Sequence, residues 1–374
     1  GGAGPVSPRV FCCWYTQPGN EGSGSPPVGD MRRWAVCEAG GCPPAPRHNG
    51  SLENWGASPR VRKARMNILD LVKSAFLGLV EGVTEWLPIS STGHMILVDE
   101  FVKMDVSDEF WNMFLVVIQL GAILSVCVLY FHQLNPFSPS KGGQGRRATW
   151  SLWGKIVVGC IPAAVIGLPL DDFMDEHFHN AYVVAGALIV YGVAFIAIES
   201  WRARRRAELA AERPRGAHFA QDLAEKDADE DFGAIASIDD ISYKTALGIG
   251  CFQVLSLVPG TSRSGSTIIG GLLLGCTRAV AAEFTFFLAI PVMFGASLLK
   301  VVKFLLKGAA MGANEWSIMV VGLVVAFAVS LAAIRWLTGF VRRHDFKAFG
   351  WYRIALGIVV LAYFLVVAPA LGLA

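Results

Sequence analysis

The stretch EGVTEWLPISSTGH, residues 81–94, places two carboxylates and a histidine inside sequence that is otherwise apolar enough for a lipid bilayer. A second stretch, PGTSRSGST at residues 259–267, places an arginine among hydroxyls and glycines in a similar setting. An ionisable group at membrane depth is costly unless it is paired or hydrated, so it indicates a functional site. Together the two stretches predict a polar pocket in a membrane protein, of a kind that holds a phosphate group.

The composition supports a membrane protein. Of the 374 residues, 53% are hydrophobic and 17% are charged, whereas soluble domains have about 25% charged residues. The formal net charge of +2 says nothing by itself, and we expect no nucleic-acid partner. The expected partners are membrane lipids and a lipid substrate.

Residues 1–65 differ from the rest of the chain. They are rich in Gly, Pro, Ser and Arg and show no hydrophobic period, which predicts a disordered N-terminal extension. Met66 then opens an apolar helix at once. We hypothesise that Met66 is the natural start and that the preceding residues are an over-extended reading frame or a tag, which the mass of the native protein would test.

Six apolar stretches are long enough to cross a bilayer, which takes about 20 residues. The predicted spans cover about 111–131, 152–170, 181–201, 281–306, 316–337 and 351–367. Two further apolar stretches, residues 68–98 and 244–276, are broken midway by Pro88 and by Pro259-Gly260. Each predicts a re-entrant hairpin of two half-helices, because broken backbone is tolerated at depth only where protein or water covers it.

The order of one hairpin followed by three spans occurs twice, which predicts an inverted-topology repeat. Residues 66–201 form the first repeat, residues 202–240 a charged cytoplasmic linker, and residues 241–374 the second repeat. Three crossings is an odd number, so the second repeat enters from the opposite side, and the site should lie near the midplane. The predicted fold is therefore an all-α polytopic membrane protein with six transmembrane helices and two re-entrant helical hairpins.

The distribution of Lys and Arg predicts the orientation. Basic loops at 141–147, 202–206 and 342–347 lie on one side of the membrane, and an acidic loop at 171–176 lies on the other. The basic side should be cytoplasmic. The first hairpin then opens from the outer, periplasmic side, although the basic residues 60–65 conflict with this placement.

The first stretch contains candidate catalytic and metal-binding groups. Glu81 and Glu85 are four residues apart and share one face of a helix. Such a pair can hold a divalent cation through oxygen, or one carboxylate can act as a base. Residues 90–93 predict a helix N-cap whose amides favour an anion, and they would serve as a plain cap if the site lay elsewhere. His94 follows Ser91 by three residues on the same helical face.

Arg263 is the candidate phosphate ligand in the second stretch. Its guanidinium binds phosphate oxygens as a bidentate fork and stays charged when buried. We expect it to pair with Glu81 or Glu85 at rest and to turn to phosphate on binding. Hydroxyls and glycine amides of both breaks complete a predicted diphosphate cradle. The cradle comprises Ser90, Thr92, Gly93, Gly260, Ser262, Ser264 and Thr267.

The Glu-x-x-x-Glu run with Ser-Ser-Thr-Gly-His, followed by Pro-Gly-x-Ser-Arg-Ser-x-x-Thr, is similar to the bacterial undecaprenyl-diphosphate phosphatase family, also known as bacitracin-resistance proteins. The resemblance covers about Met66 to the C-terminus. It implies hydrolysis of undecaprenyl diphosphate to the monophosphate lipid carrier and phosphate in the bacterial inner membrane, for peptidoglycan synthesis. It implies a divalent cation, Mg²⁺ or Ca²⁺, and the same hairpins and spans. It gives functional roles to Glu81, Glu85, Ser91, His94 and Arg263.

Several alternatives stay open at the level of sequence. The nucleophile is Ser91 with Glu85 or His94 as proton acceptor, or water activated by Glu85, or His94 itself. A polyprenyl-phosphate flippase or transporter with the same pocket is the alternative function, because inverted repeats with broken helices are typical of secondary transporters. The preferred metal and the oligomeric state, a homodimer included, are also open.

Overall fold

The computed structural model describes residues 68–178, 180–211, 235–308 and 310–370, apart from the side chains of residues 171, 172, 175, 209 and 210. The predicted extension, Met66 and residues 212–234 of the predicted linker lie outside the described residues. Within them the chain is helical and forms no strand. The helices are α1 (Ile68–Thr84), α2 (Ser91–Asp99), α3 (Asp108–Leu129), α4 (Phe131–Leu134), α5 (Gly143–Phe178), α6 (Ala181–Ala211), α7 (Tyr243–Val254), α8 (Arg263–Leu273), α9 (Arg278–Leu306), α10 (Ala313–Val341), α11 (Lys347–Ala362) and α12 (Ala368–Ala370).

Six helices of the described part are long and apolar enough to cross a membrane. They cover Asp108–Leu129, Gly143–Leu170, Ala181–Glu208, Arg278–Leu306, Ala313–Val341 and Lys347–Ala370. Large apolar side chains such as Val165, Leu168 and Val324 remain exposed on their outward faces, as expected where the solvent is lipid. The predicted all-α, multi-pass fold with six spans is confirmed. Residues 202–211 of the predicted linker continue α6.

Both broken apolar stretches form two short helices joined by a turn, α1 with α2 and α7 with α8. The turns end in the same unusual conformation, because Ser90 and Ser262 have positive φ angles of 73° and 70°. Each serine side chain accepts a hydrogen bond from the amide three residues later, Gly93 N at 3.3 Å and Gly265 N at 3.2 Å. A positive φ costs a non-glycine residue about 1–2 kcal/mol. The shared strain shows that the two turns are built alike.

The short helices cross the helices of the other half of the chain. α1 packs on α10, where a Cβ added to Gly78 would lie 2.4 Å from Gly322 O. α7 packs on α5, where a Cβ added to Gly250 would lie 2.0 Å from Gly159 O. Gly78 and Gly250 stand at the same distance before the strained serines of their turns. The two contacts are therefore equivalent: in each, the first helix of one half packs on a long helix of the other half.

The last long helices of the two halves, α6 and α11, pack against each other. A Cβ on Gly192 would lie 2.7 Å from Gly350 O, and a Cβ on Gly350 would lie 2.8 Å from Gly192 O. Here the equivalent helices of the two halves contact each other through equivalent glycines. In the other two contacts, by contrast, α1 of the first half packs on α10 of the second, and α7 of the second half packs on α5 of the first. The halves therefore share one mutual contact and one pair of exchanged contacts.

Replacing Gly78 by alanine should lower the free energy of unfolding by about 1–3 kcal/mol, because the new Cβ would meet backbone that cannot rotate away. Gly295→Ala is the matched control, since nothing lies within 4 Å of a Cβ added to this residue of α9. The control should leave stability unchanged or raise it by about 0.5–1 kcal/mol. Thermal unfolding in detergent measures both, and equal melting temperatures would contradict the close crossing of α1 and α10.

Candidate active site

The turns that follow α1 and α7 bring Glu85, Ser91 and Arg263 into one hydrogen-bonded group. Arg263 Nη2 donates to Glu85 Oε1 at 3.0 Å, and Ser91 Oγ donates to Glu85 Oε2 at 2.8 Å. The side chains of Glu85 and Arg263 are only 9% and 12% exposed. The ion pair expected between Arg263 and one of the two carboxylates forms with Glu85. Both sequence motifs therefore contribute to one buried cluster.

The guanidinium of Arg263 is held from three sides. Besides its bond to Glu85, it donates from Nη1 to Thr285 O at 3.2 Å. Its central carbon lies 5.7 Å from the ring centroid of the fully buried Trp86, a position where the aromatic face attracts a cation. Trp86 in turn packs edge-on against Phe286 at 5.3 Å between ring centroids. The fork is therefore oriented before any ligand arrives.

Glu81 lies one helical turn before Glu85 on α1 and is 1% exposed. Its Oε1 atom has no hydrogen-bond partner among the described residues. A buried carboxylate oxygen without a partner is costly, so it favours a cation or a proton at that place. Among the described residues, no group of three or more His, Cys, Asp or Glu side chains is arranged to hold a metal ion. Glu81 and Glu85 carry carboxylate oxygens of the kind that bind a divalent cation.

The hydroxyl of Ser264, in the first turn of α8, contacts the backbone of the turn that follows α1. Ser264 Oγ lies within hydrogen-bond distance of two carbonyl oxygens, Glu85 O at 3.2 Å and Leu87 O at 3.4 Å. Ser262 Oγ lies 3.1 Å from Ser264 Oγ. These contacts join the two turns directly next to the Glu85 carboxylate. The predicted cradle residues of the second stretch therefore also connect the halves.

Two helix N-termini meet at the cluster. Ser91 is the first residue of α2 and Arg263 is the first residue of α8, and the two are bridged by Glu85. The N-terminus of a helix carries partial positive charge and favours an anion. Thr92 and Gly93 lie in the first turn of α2. The arrangement suits a negatively charged phosphate next to a carboxylate and a hydroxyl.

His94 is hydrogen-bonded at both ring nitrogens. Nδ1 lies 2.7 Å from Ser90 O, and Nε2 lies 2.7 Å from the hydroxyl oxygen of Tyr352. A carbonyl oxygen only accepts, so Nδ1 carries a proton, and in the neutral ring Nε2 accepts the Tyr352 hydroxyl proton. The two rings stack at 5.6 Å between centroids and 8° between planes. The imidazole is therefore fixed against α11 and has no unused nitrogen in this conformation.

Two further predicted cradle residues have clear structural contacts. Thr267 Oγ1 donates to Arg263 O at 2.9 Å and accepts from Thr285 Oγ1 at 2.8 Å. It thereby holds the start of α8 against α9. Gly260 has a φ of 89°, and a Cβ there would lie 2.6 Å from Val184 O. Only glycine fits this turn, which lies directly against α6.

Arg353 on α11 is a residue that the sequence reasoning missed. Its side chain is fully buried and donates to Pro88 O in the first turn and to Gly260 O and Thr261 O in the second. Arg353 stands inside the predicted span 351–367. A lone arginine in an apolar span indicates a functional position, so the sequence contained a signal for Arg353. Tyr352 and Thr285 belong to no motif and offered no such signal.

The chain is similar to known proteins over most of its length. The family model described as bacitracin resistance protein BacA matches residues 74–359. An undecaprenyl-diphosphatase of Enterococcus faecalis is 51% identical over 300 residues, which are 80% of this chain and 99% of the relative. Undecaprenyl-diphosphatases of Limosilactobacillus fermentum, over 301 residues, and Acetivibrio thermocellus, over 300 residues, are each 52% identical, covering 80% of this chain and 100% of each relative. The chain belongs to the bacitracin resistance protein BacA family.

Proposed function

We propose that this protein hydrolyses undecaprenyl diphosphate to undecaprenyl phosphate and inorganic phosphate. The names of its relatives support this reaction. The observation that carries the proposal is the Glu85–Ser91–Arg263 cluster, which combines a hydroxyl, a carboxylate that accepts its hydrogen bond, and a cation for phosphate oxygens. In the bacterial membrane the reaction returns the lipid carrier to peptidoglycan synthesis and counteracts bacitracin.

We propose that the cluster lies near the middle of the membrane, at the tip of a re-entrant hairpin. Ser74 Oγ donates to Ile318 O at 2.6 Å, and Ser330 Oγ donates to Gly82 O at 3.1 Å. α1 therefore runs parallel to α10 and ends beside the middle of that span. On the other half, Gly250 of α7 lies beside the middle of α5. These positions, with the exchanged crossings, support two re-entrant hairpins related by an inverted-topology repeat.

The site is proposed to open towards the periplasm. α1 begins beside the N-terminal end of α10, whereas the other end of α10 is followed by the exposed Arg342 and Arg343. Positive residues favour the cytoplasmic side. α1 then starts at the outer face and descends towards the site, so the diphosphate headgroup would approach from the outer leaflet with its tail in the lipid.

In the proposed first step, Ser91 Oγ attacks the terminal phosphorus while its proton passes to Glu85. The bond from phosphorus to the bridging oxygen breaks, and undecaprenyl phosphate leaves with that electron pair. Arg263 turns from Glu85 to the phosphoryl oxygens, where its fork stabilises the developing negative charge. This exchange also removes the guanidinium from Glu85 at the moment when the carboxylate must accept a proton.

In the second step, a water molecule attacks the phosphoserine after Glu85 has released its proton to solvent. One water proton passes to Glu85, the bond from phosphorus to Ser91 Oγ breaks, and inorganic phosphate leaves. Glu85 then returns that proton to the serine oxygen, which restores the starting state. The same carboxylate serves both steps, as its short contact with Ser91 allows.

His94 is given an orienting role rather than that of the nucleophile. Its Nδ1–H group donates a hydrogen bond to Ser90 O, and its Nε2 atom accepts one from the Tyr352 hydroxyl. A nucleophilic imidazole needs a free lone pair directed at phosphorus, and here both nitrogens already have partners. His94 thereby fixes the first turn of α2, from which Ser91 projects.

Glu81 and Glu85 would hold the divalent cation, Mg²⁺ or Ca²⁺. The unpartnered Oε1 atom of the buried Glu81 supports this assignment. When bound, the cation neutralises negative charge on the phosphoryl oxygens. The chain's own contributions remain the hydroxyl of Ser91, the proton acceptor Glu85 and the fork of Arg263.

Phosphate release from undecaprenyl diphosphate by the purified protein in detergent tests the proposal, because no transport occurs there. We expect release that EDTA abolishes and that Mg²⁺ or Ca²⁺ restores. Glu81→Gln should raise the metal concentration for half-maximal rate by at least about 10–100-fold, which is what loss of an outer-shell partner of a metal ligand costs. Absence of release by folded protein that still binds the lipid would overturn the function. Release that is insensitive to EDTA would overturn the metal assignment alone.

A further inference from the structure

We propose that Arg353 is a positioning residue of the active site. Its buried guanidinium joins the two turns and keeps Glu85 and Arg263 at the separation that their ion pair requires. The inference rests on the proposed phosphatase function. It adds a residue from α11, outside both sequence motifs, to the set on which the reaction depends.

The hydrogen bonds of Arg353 reach both turns at once. Nη1 donates to Pro88 O at 3.2 Å, and Nη2 donates to Gly260 O at 2.9 Å and to Thr261 O at 2.8 Å. Pro88 follows Glu85 by three residues, and Thr261 precedes Arg263 by two. The guanidinium therefore connects the two backbone segments that carry the ion pair of the site.

Packing alone does not account for an arginine at this place. Arg353 is fully buried and forms no ion pair with any described residue. Its cation lies 5.5 Å from the ring centroid of Tyr191 and otherwise contacts neutral carbonyl oxygens. Apolar side chains usually fill such space at lower cost than a buried charge does. What an apolar residue lacks is a planar fork that bonds two separate backbone segments simultaneously.

The surroundings leave the fork little freedom. A Cβ added to Gly265, in the first turn of α8, would lie 3.0 Å from Arg353 Nη1. The Gly260 turn is confined between Arg353 and the backbone of α6 at Val184. The second turn is thus held from two sides. Its position relative to the first turn is fixed by the Arg353 guanidinium together with the direct contacts of Ser264.

The consequence for catalysis follows from the short contacts of the cluster. The Arg263–Glu85 and Ser91–Glu85 contacts of 3.0 and 2.8 Å require both turns at their observed separation. A displacement of about 1 Å in such a site costs about 100-fold in rate. The lipid tail is proposed to lie in the membrane outside this cluster, so its binding should not depend on this separation. Loss of Arg353 should therefore lower kcat and leave KM nearly unchanged.

Arg353→Lys, which keeps the charge and removes the fork, is the test variant, and Arg202→Lys is its matched control. Arg202 is another buried arginine that donates to carbonyls, Leu272 O at 2.7 Å and Cys276 O at 3.3 Å, at the far end of α8. We expect Arg353→Lys to lower kcat per folded protein about 100-fold with KM within about threefold. Arg202→Lys should lower the melting temperature and keep kcat within about threefold.

Gly265→Ala provides a milder perturbation that retains Arg353 if the lysine variant fails to fold. The added Cβ should displace the guanidinium by a few tenths of an ångström and lower kcat about tenfold with KM unchanged. Wild-type kcat in both Arg353→Lys and Gly265→Ala, or an equal kcat loss in Arg202→Lys, would overturn the inference. A wild-type protein without phosphatase activity would instead overturn the proposed function.

Discussion

Replacing Arg263 by lysine should lower kcat for phosphate release by about a thousandfold, although the positive charge is kept. Arg263 uses two arms of its fork on different partners, Glu85 Oε1 at 3.0 Å and Thr285 O at 3.2 Å. An ammonium group is a point charge and cannot hold both or bind two phosphoryl oxygens in one plane. The lysine variant would therefore lose the donor geometry of the transition state.

The control for this prediction is Arg278→Lys. Arg278 forms a buried bidentate pair with Glu199, at 2.9 Å from Nε and 2.6 Å from Nη2, outside both motifs. Its replacement should reduce stability but leave kcat per folded protein within about threefold. Added guanidinium ion should restore part of the activity of Arg263→Ala. An Arg263→Lys enzyme that retains more than about a tenth of wild-type kcat would contradict the role of the fork.

The fold was predictable because its signals are local. Runs of apolar residues set the six spans. Pro88 and Pro259 marked the two breaks, and the helices before them end four and five residues earlier, at Thr84 and Val254. The contact between Arg263 and a carboxylate was predictable as well, since a carboxylate is a strong hydrogen-bond partner for a guanidinium and two carboxylates stand in the first motif. The sequence did not predict which of the two glutamates pairs with Arg263, because Glu81 and Glu85 differ only in their distance from the turn.

The role of Arg353 was hidden for a different reason. Its partners are the backbone carbonyls of Pro88, Gly260 and Thr261. Every residue has a backbone carbonyl, so the sequence does not indicate which carbonyls accept a hydrogen bond. Only the fold brings the Arg353 side chain of α11 to both turns. The sequence offered a charged residue in an apolar span, but it offered nothing to say what that charge would bind.

The serines of the first turn show how the structure separates residues that a motif treats alike. Ser90 has a positive φ and caps α2 through Gly93 N, so its hydroxyl is committed to the backbone. Ser91 is the first helical residue and its hydroxyl reaches Glu85. Sequence predicts a cap in residues 90–93. It does not predict which hydroxyl remains for chemistry.

Ser91→Ala should therefore lower kcat by about a thousandfold or more, as expected when a nucleophile is removed. Ser74→Ala is the matched control, because Ser74 is a buried serine of the same hairpin whose hydroxyl binds Ile318 O on α10. It should keep kcat within about threefold. Rapid quenching with undecaprenyl diphosphate labelled in its terminal phosphate should trap a phosphoenzyme in wild type and none in Ser91→Ala.

The chemical stability of the trapped species separates the mechanisms. A phosphoserine survives acid, whereas a phosphohistidine is lost in acid and survives alkali. Label that persists in His94→Ala and disappears in Ser91→Ala would support attack by Ser91. Alkali-stable label that persists in Ser91→Ala would assign the nucleophile to His94 and require Tyr352 to release Nε2, which it contacts at 2.7 Å. A wild-type enzyme that turns over without any labelled intermediate would leave water activated by Glu85 as the attacking group, and Ser91 would then orient the carboxylate that it contacts at 2.8 Å.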